Sequence, residues 1–310
     1  YQSSKSLNLT SSSYSGLQKG VYLNSSLSSA TNLTGPNFTN ANGWAWTMWF
    51  KSNSGGTTGT TTEPFMMCGS DGWHSRAIFW IDYAASDDRR MSYFTELNNS
   101  ASIKIEWDAD AFLDDNWHQL IMCYGGVSDY NTLEAAGGTD GTDSFKFYID
   151  GVYKSQLTAT ITGTPDPSNA AHDGLNQAQG ITLMNFQNSN GSSASPTAGS
   201  VNCFIDEFTF WNKTLSSSEI TDIYNSGGLV DMSNLSFFSA ANCGVWLKCG
   251  EATNDAVDDT TNSGIGNLYS AGNNSIQDSS GNDNHWFLCC ASADAVTATG
   301  ISTSDFAPSD

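Results

Sequence analysis

Two adjacent carboxylates, Asp206 and Glu207, sit inside the apolar run Phe204-Ile-Asp-Glu-Phe-Thr-Phe-Trp211. Paired carboxylates are the machinery of glycoside hydrolysis, one as the acid and the other as base or nucleophile. On a β-strand that work requires alternate positions, because neighbouring residues face opposite sides of the sheet. Asp206 and Glu207 are neighbours, and the next positions on the Asp206 side are Phe208 and Phe210. The two acids therefore read as turn-supporting or surface residues. The four histidines are His74, His118, His172 and His285. His118 follows Trp117 in a strong strand pattern and reads as a framework side chain, not a base. There is no Gly-x-Ser-x-Gly elbow for a serine nucleophile. The expectation is a protein that is not an enzyme.

The elements that must carry these residues are short and mostly extended. Phe204, Phe208 and Phe210 share one face of a period-two strand, with Asp206 between them. The Ser/Thr-rich stretch from Thr214 to Glu219 supplies an N-cap, and Ile220, Ile223 and Tyr224 then fall at helical spacing. Alternation and aromatic or β-branched content predict further strands at 5–10, 20–24, 44–51, 64–69, 76–83, 91–97, 102–107, 117–124, 144–152, 181–186 and 243–249. In the third of these Trp44, Trp46 and Met48 share a face. Residues 158–179 read as a long loop, and the tail from Thr297 to Asp310 as extended. Many short strands separated by turn signals predict an all-β sandwich.

Composition agrees. The chain has 310 residues, 11 basic against 32 acidic, and a formal net charge of −21. A lysine-poor, acidic surface argues against nucleic acid and anionic membrane as partners. No run of 18 apolar residues is present, so no membrane insertion by a helix is expected. The seven cysteines contain no C-x-x-C pair, which disfavours a structural zinc site. Cys68, Cys123 and Cys203 lie in apolar strand-like runs and read as small buried hydrophobes. Cys243, Cys249 and the Cys289-Cys290 pair are candidates for a disulfide in the C-terminal segment.

Five segments in order resemble the laminin G-like and pentraxin-like group of concanavalin A-type jelly rolls. They are Ser6-Leu-Asn-Leu9 with Val21-Tyr-Leu23, then Trp44 to Lys51, then Asn116-Trp-His-Gln-Leu-Ile-Met-Cys-Tyr-Gly-Gly126, then Phe145-Lys-Phe-Tyr-Ile-Asp-Gly-Val152, and finally the strand-corner-helix at 204–224. The resemblance implies an antiparallel jelly-roll sandwich over 1–228. The remaining 229–310 then form a loop-rich β extension that packs on the sandwich or mediates assembly. Family members often hold calcium at one edge. Asp71 lies before Arg76-Ala-Ile-Phe-Trp80, where pentraxins place an Asp-Asn pair, and Gln187 and Asn188 lie where they carry a Glu-Gln-Asp run. The resemblance thus implies a calcium site at Asp71, Gln187 and Asn188, although the acidic members of that run are missing.

A second resemblance is displaced. Val245-Trp-Leu-Lys248 followed by Asp278-Ser-Ser-Gly-Asn282 is similar to an opening motif that normally precedes such a sandwich, and here it follows one. The arrangement resembles structural proteins of tailed bacteriophages. It implies a non-enzymatic protein of the virion surface, in capsid decoration or a tail fibre, with a lectin-like face for assembly or host adhesion. Its partners would be other virion proteins, further copies of itself as a homo-oligomer, and cell-surface glycan. The alternative is a secreted, extracellular, calcium-dependent lectin or adhesin of a cell. The jelly-roll fold leaves both open, since fold does not dictate function.

Overall fold

The computed structural model describes residues 6–8, 19–23, 32–33, 42–53, 63–69, 76–85, 88–98, 101–125, 144–163, 181–184, 203–249, 275–290 and 302–304. Within them the strands are β1 (Ser6–Asn8), β2 (Lys19–Leu23), β3 (Trp44–Ser52), β4 (Glu63–Gly69), β5 (Arg76–Ala85), β6 (Asp88–Asn98), β7 (Ala101–Asp108), β8 (Trp117–Tyr124) and β9 (Phe145–Ile149). They continue with β10 (Val152–Lys154), β11 (Thr158–Thr162), β12 (Ile181–Leu183), β13 (Cys203–Trp211), β14 (Cys243–Leu247), β15 (Ser275–Ile276), β16 (Trp286–Cys290) and β17 (Ser302–Ser304). An α-helix, α1 (Ser217–Tyr224), follows β13. Among the described residues no helix is long and apolar enough to cross a membrane.

The strands form two antiparallel sheets. One runs β10-β9-β8-β3-β13-β1-β17, with β14 also on β13; the other runs β11-β7-β6-β5-β4-β12-β2-β16-β15. The fold is an all-β sandwich of two antiparallel sheets. Its core follows from period-two alternation. Trp44, Trp46, Met48 and Phe50 of β3 meet Phe65, Phe79, Ile81 and Tyr93 of the facing sheet, all fully buried. The rings of Trp46 and Phe79 stand edge to face at 5.5 Å, a favoured aromatic geometry.

A second apolar layer covers the other face of the first sheet. Ala45, Ile121, Cys123, Tyr148, Trp211 and Trp246 of the sheet point into it, and Leu215, Ile220, Ile223 and Met232 close it from outside. The helix in this layer starts as its sequence requires. Ser216 and Glu219 form a reciprocal capping box, and Asn225 ends the helix in the left-handed region.

Strand β13 departs from simple alternation. Asp206 pairs with Trp49 and Thr209 with Thr47, so three steps on β13 match two on β3. The extra residue is Glu207, whose φ is 49°. This is a β-bulge, and it shifts the face of everything on one side of it. Ile205 and Cys203 therefore join Phe208 and Phe210 in the core. Phe204 does not; it lies half-buried against Trp117, ring centroids 6.4 Å apart. The expectation that Phe204 shares a face with Phe208 and Phe210 is corrected by that single inserted residue.

The start of the expected 158–179 loop is a strand. Thr158-Ala-Thr-Ile-Thr162 is the edge strand β11, paired to β7 from Glu106↔Thr158 to Ser102↔Thr162. Its alternating β-branched residues suit a pleated surface. In the tail, Ser302–Ser304 pairs with β1. Strands from the C-terminal segment enter both sheets, with β14 on β13 and β16 on β2.

Candidate functional site

A polar cleft of about 900 Å³ opens at one end of the first sheet. The ends of β8 and β13 and the starts of β3 and β14 border it. Its lining includes Asn32, Asn42, Asn212, Lys213, Thr214, Glu219 and Asn242. Each arrives there for a local reason. The Asn42-Gly43 corner enters β3 with Gly43 at φ 67°, and a Cβ on Gly43 would stand 1.9 Å from the Tyr124 carbonyl oxygen. Only glycine fits there. Gly244 is also pressed close: a Cβ would lie 2.7 Å from the Asn32 carbonyl oxygen, which lets the Asn32 loop lie on β14.

Backbone and amide hydrogen bonds then lock the walls together. The Thr214 amide donates to the Asn42 carbonyl at 2.7 Å, and the Asn212 amide to the Asn242 carbonyl at 2.8 Å. The Asn212 side chain donates to the carbonyls of Asn32 and Ala241. The Asn242 side chain donates to the Phe237 carbonyl at 2.9 Å. Asn32 donates through Nδ2 to Asn282 Oδ1 at 2.8 Å, and Asn282 donates onward to the carbonyls of Ala240 and Cys243 at 2.8 and 2.9 Å. These bonds leave Asn32 Oδ1, Thr214 Oγ1 and Asn242 Oδ1 with no protein partner among the described residues, on a wall open to solvent.

The only charged side chains in the described lining are Lys213 and Glu219. Lys213 Nζ lies 2.5 Å from Glu219 Oε1. Glu219 Oε2 accepts from the Ser216 amide at 2.9 Å. Burial pushes the Glu219 carboxyl up, but Lys213 and Ser216 outweigh it and hold it below its ordinary range.

The acids and histidine picked out from sequence have other roles. Asp206 and Glu207 are 0% and 1% exposed, so the expectation of surface residues is corrected. Glu207 reaches the outer apolar layer at Trp246. Asp206 Oδ1 accepts from the Glu207 amide at 2.8 Å, and Glu207 Oε2 accepts from Trp246 Nε1. His118 is held at both ring nitrogens, Nδ1 to Asp150 at 2.7 Å and Nε2 to Asp114 at 2.9 Å. Cys243 and Cys249 are buried and are not bridged to each other. The Cys243 thiol donates to the Val245 carbonyl, and burial pushes its pKa up, with the Asp278 carboxylate adding to the effect. Cys123 and Cys203 are also buried. The side chains of Cys68, Cys289 and Cys290 lie outside the described residues, as do Asp71, Gln187 and Asn188 of the expected calcium site. Among the described residues no group of three His, Cys, Asp or Glu is placed to hold a metal ion.

One carboxylate pair that alternation does put on one strand face was not singled out from sequence: Glu106 and Asp108 of β7. Glu106 is 8% exposed and accepts from Arg90, Lys104, Ser92 and Thr158. That ties β6, β7 and β11 in register. Asp108 accepts from the Asp110 amide at 2.9 Å in the following turn. The cleft residues were missed for a different reason. Positions 32, 42, 212 and 242 share no motif or period, and only the sheet pairing brings them together.

No family model matches this chain, and no curated protein does. Among solved structures it is similar to a heptameric SAP-like pentraxin from Limulus polyphemus, at 8% identity and TM-score 0.42, over 72% of this chain and 82% of that one. It is also similar to a Bacteroides ovatus protein to which carbohydrate binding has been ascribed, at 12% identity and TM-score 0.47. That match covers 98% of this chain but only 60% of the other. A third is the CBM40 of a Ruminococcus gnavus IT-sialidase, at 11% identity and TM-score 0.36, over 67% and 97%. At these scores the likenesses carry no argument about function.

Proposed function

We propose that this chain is a non-catalytic, lectin-like sandwich that binds hydroxyl-rich saccharide in the polar cleft and acts in adhesion. The observation that carries the reading is the cleft's chemistry. Its described walls present neutral amides and hydroxyls, with Asn32 Oδ1, Thr214 Oγ1 and Asn242 Oδ1 left without protein partners among the described residues. Such groups match the donors and acceptors of sugar hydroxyls, and backbone bonds hold them before any ligand arrives, which lowers the ordering cost of binding. The pocket size is within the usual range for small-ligand sites. We place the protein on a virion surface. The displaced C-terminal motif and the acidic composition support that placement, with the secreted lectin as the rival.

A printed array of oligosaccharides, followed by calorimetry on the strongest members, tests the reading. Thr214→Val and Asn242→Ala should each weaken binding by about tenfold, the equivalent of one lost hydrogen bond to a site group. An array blank at millimolar saccharide, or full affinity in both folded variants, overturns it. Antibody labelling at the surface of purified particles supports the virion placement, and protein found only free in the medium overturns it.

A further inference from the structure

We infer that the Lys213–Glu219 ion pair makes the cleft select uncharged over acidic saccharides; this rests on the carbohydrate reading above. An acidic sugar needs a cation to replace the water it loses. Lys213 is the only cation in the described lining, and its ammonium already lies 2.5 Å from Glu219. The pair is partly shielded, with side-chain exposures of 29% and 15%. Lys213 also stands 5.7 Å from the Phe237 ring centroid, a contact that holds the ammonium over that ring. A second carboxylate brought to Lys213 must approach Glu219 as well, and like charges repel at that range. The chain's net charge of −21 adds to the barrier for any anion. A neutral sugar meets none of these costs, because it binds through the amides and hydroxyls.

Glu219 also sits at the third position of α1 and accepts from the Ser216 amide. Glutamine serves that capping position as well as glutamate. Glu219→Gln therefore removes the charge and keeps the cap. That separates selectivity from folding.

The experiment prints pairs of oligosaccharides that differ only by one sialic or uronic acid. Wild-type protein should favour the neutral member of each pair. E219Q, with its thermal transition intact, should move the acidic-to-neutral ratio toward the acidic member by about tenfold, the scale of one charge-assisted hydrogen bond. Adding Lys213→Met to E219Q should reverse that gain. If folded E219Q leaves the ratio unchanged, or wild type prefers acidic members, the selectivity idea is overturned while saccharide binding stands. An array blank for every variant overturns both.

Discussion

At the scale of single residues, His118 shows how an apparent chemical group becomes a structural one. Its ring bridges Asp114, in the turn before β8, and Asp150, in the hairpin turn after β9. Asp150 Oδ1 also accepts from the Gln119 amide at 2.9 Å. Burial lowers the His118 pKa, but the two carboxylates outweigh burial and leave it above its ordinary 6.5. The sign follows from linkage. A group whose folded pKa is raised contributes stability that is complete below the unfolded value and is lost as pH rises through the folded value. Wild-type protein should therefore lose thermal stability as pH climbs from about 6.5 upward through the His118 transition. His118→Gln should flatten that part of the profile. A melting series in matched buffers decides it, and identical slopes for the two proteins would show that His118 is not the titrating group.

At the scale of elements, the stretch Asp278-Ser-Ser-Gly-Asn-Asp-Asn284 acts as a clamp. Asp278 accepts four hydrogen bonds, from the amides of Trp246, Ser280 and Asn284 and from the Ser280 hydroxyl, at 2.7–3.0 Å. Asn284 donates to the Gly244 carbonyl at 2.8 Å, and Asn282 reaches both the 240–243 backbone and Asn32. The residues that made this motif recognisable thus pin β14 and one wall of the cleft. Asp278→Ala should cost roughly 3 kcal/mol of unfolding free energy, because it strips acceptors from buried donors. Urea denaturation measures it. A loss within 0.5 kcal/mol, the usual range of an inconsequential surface change, would mean the clamp is dispensable.

At the scale of the whole molecule, the C-terminal segment is built into the sandwich. Trp286 is fully buried in the main core, 5.3 Å from the Phe208 ring, and Trp246 is buried in the outer layer against Phe238. Each such aromatic contributes about 2–3 kcal/mol through burial. Ending the chain after Gly228 would expose the β13 and β2 edges and open both apolar layers, and unpaired edges invite aggregation. We expect the shortened protein to elute as aggregate and to lose a cooperative transition. A monomer of full stability on gel filtration and calorimetry would show that 1–228 needs nothing after it.

By itself the sequence determined most of the strands, the capped helix and the aromatic core face, because each depends on neighbours within a few residues. The capping box is legible as Ser216 and Glu219 three apart, and the face of β3 as Trp44, Trp46 and Met48 two apart. It did not determine the bulge at Glu207, where alternation alone puts Phe204 on the wrong face. A bulge is a mismatch between two strands, and one strand cannot show it. Nor did it reveal that Asp206 and Glu207 are buried; Glu207, for one, bonds to Trp246, 39 residues further along the chain. The cleft lies furthest from sequence. Asn32, Asn42, Asn212 and Asn242 resemble any other asparagines in an Asn-rich chain. They become a site only when β13 pairs β3 on one side and β14 on the other, which is a decision of long-range packing.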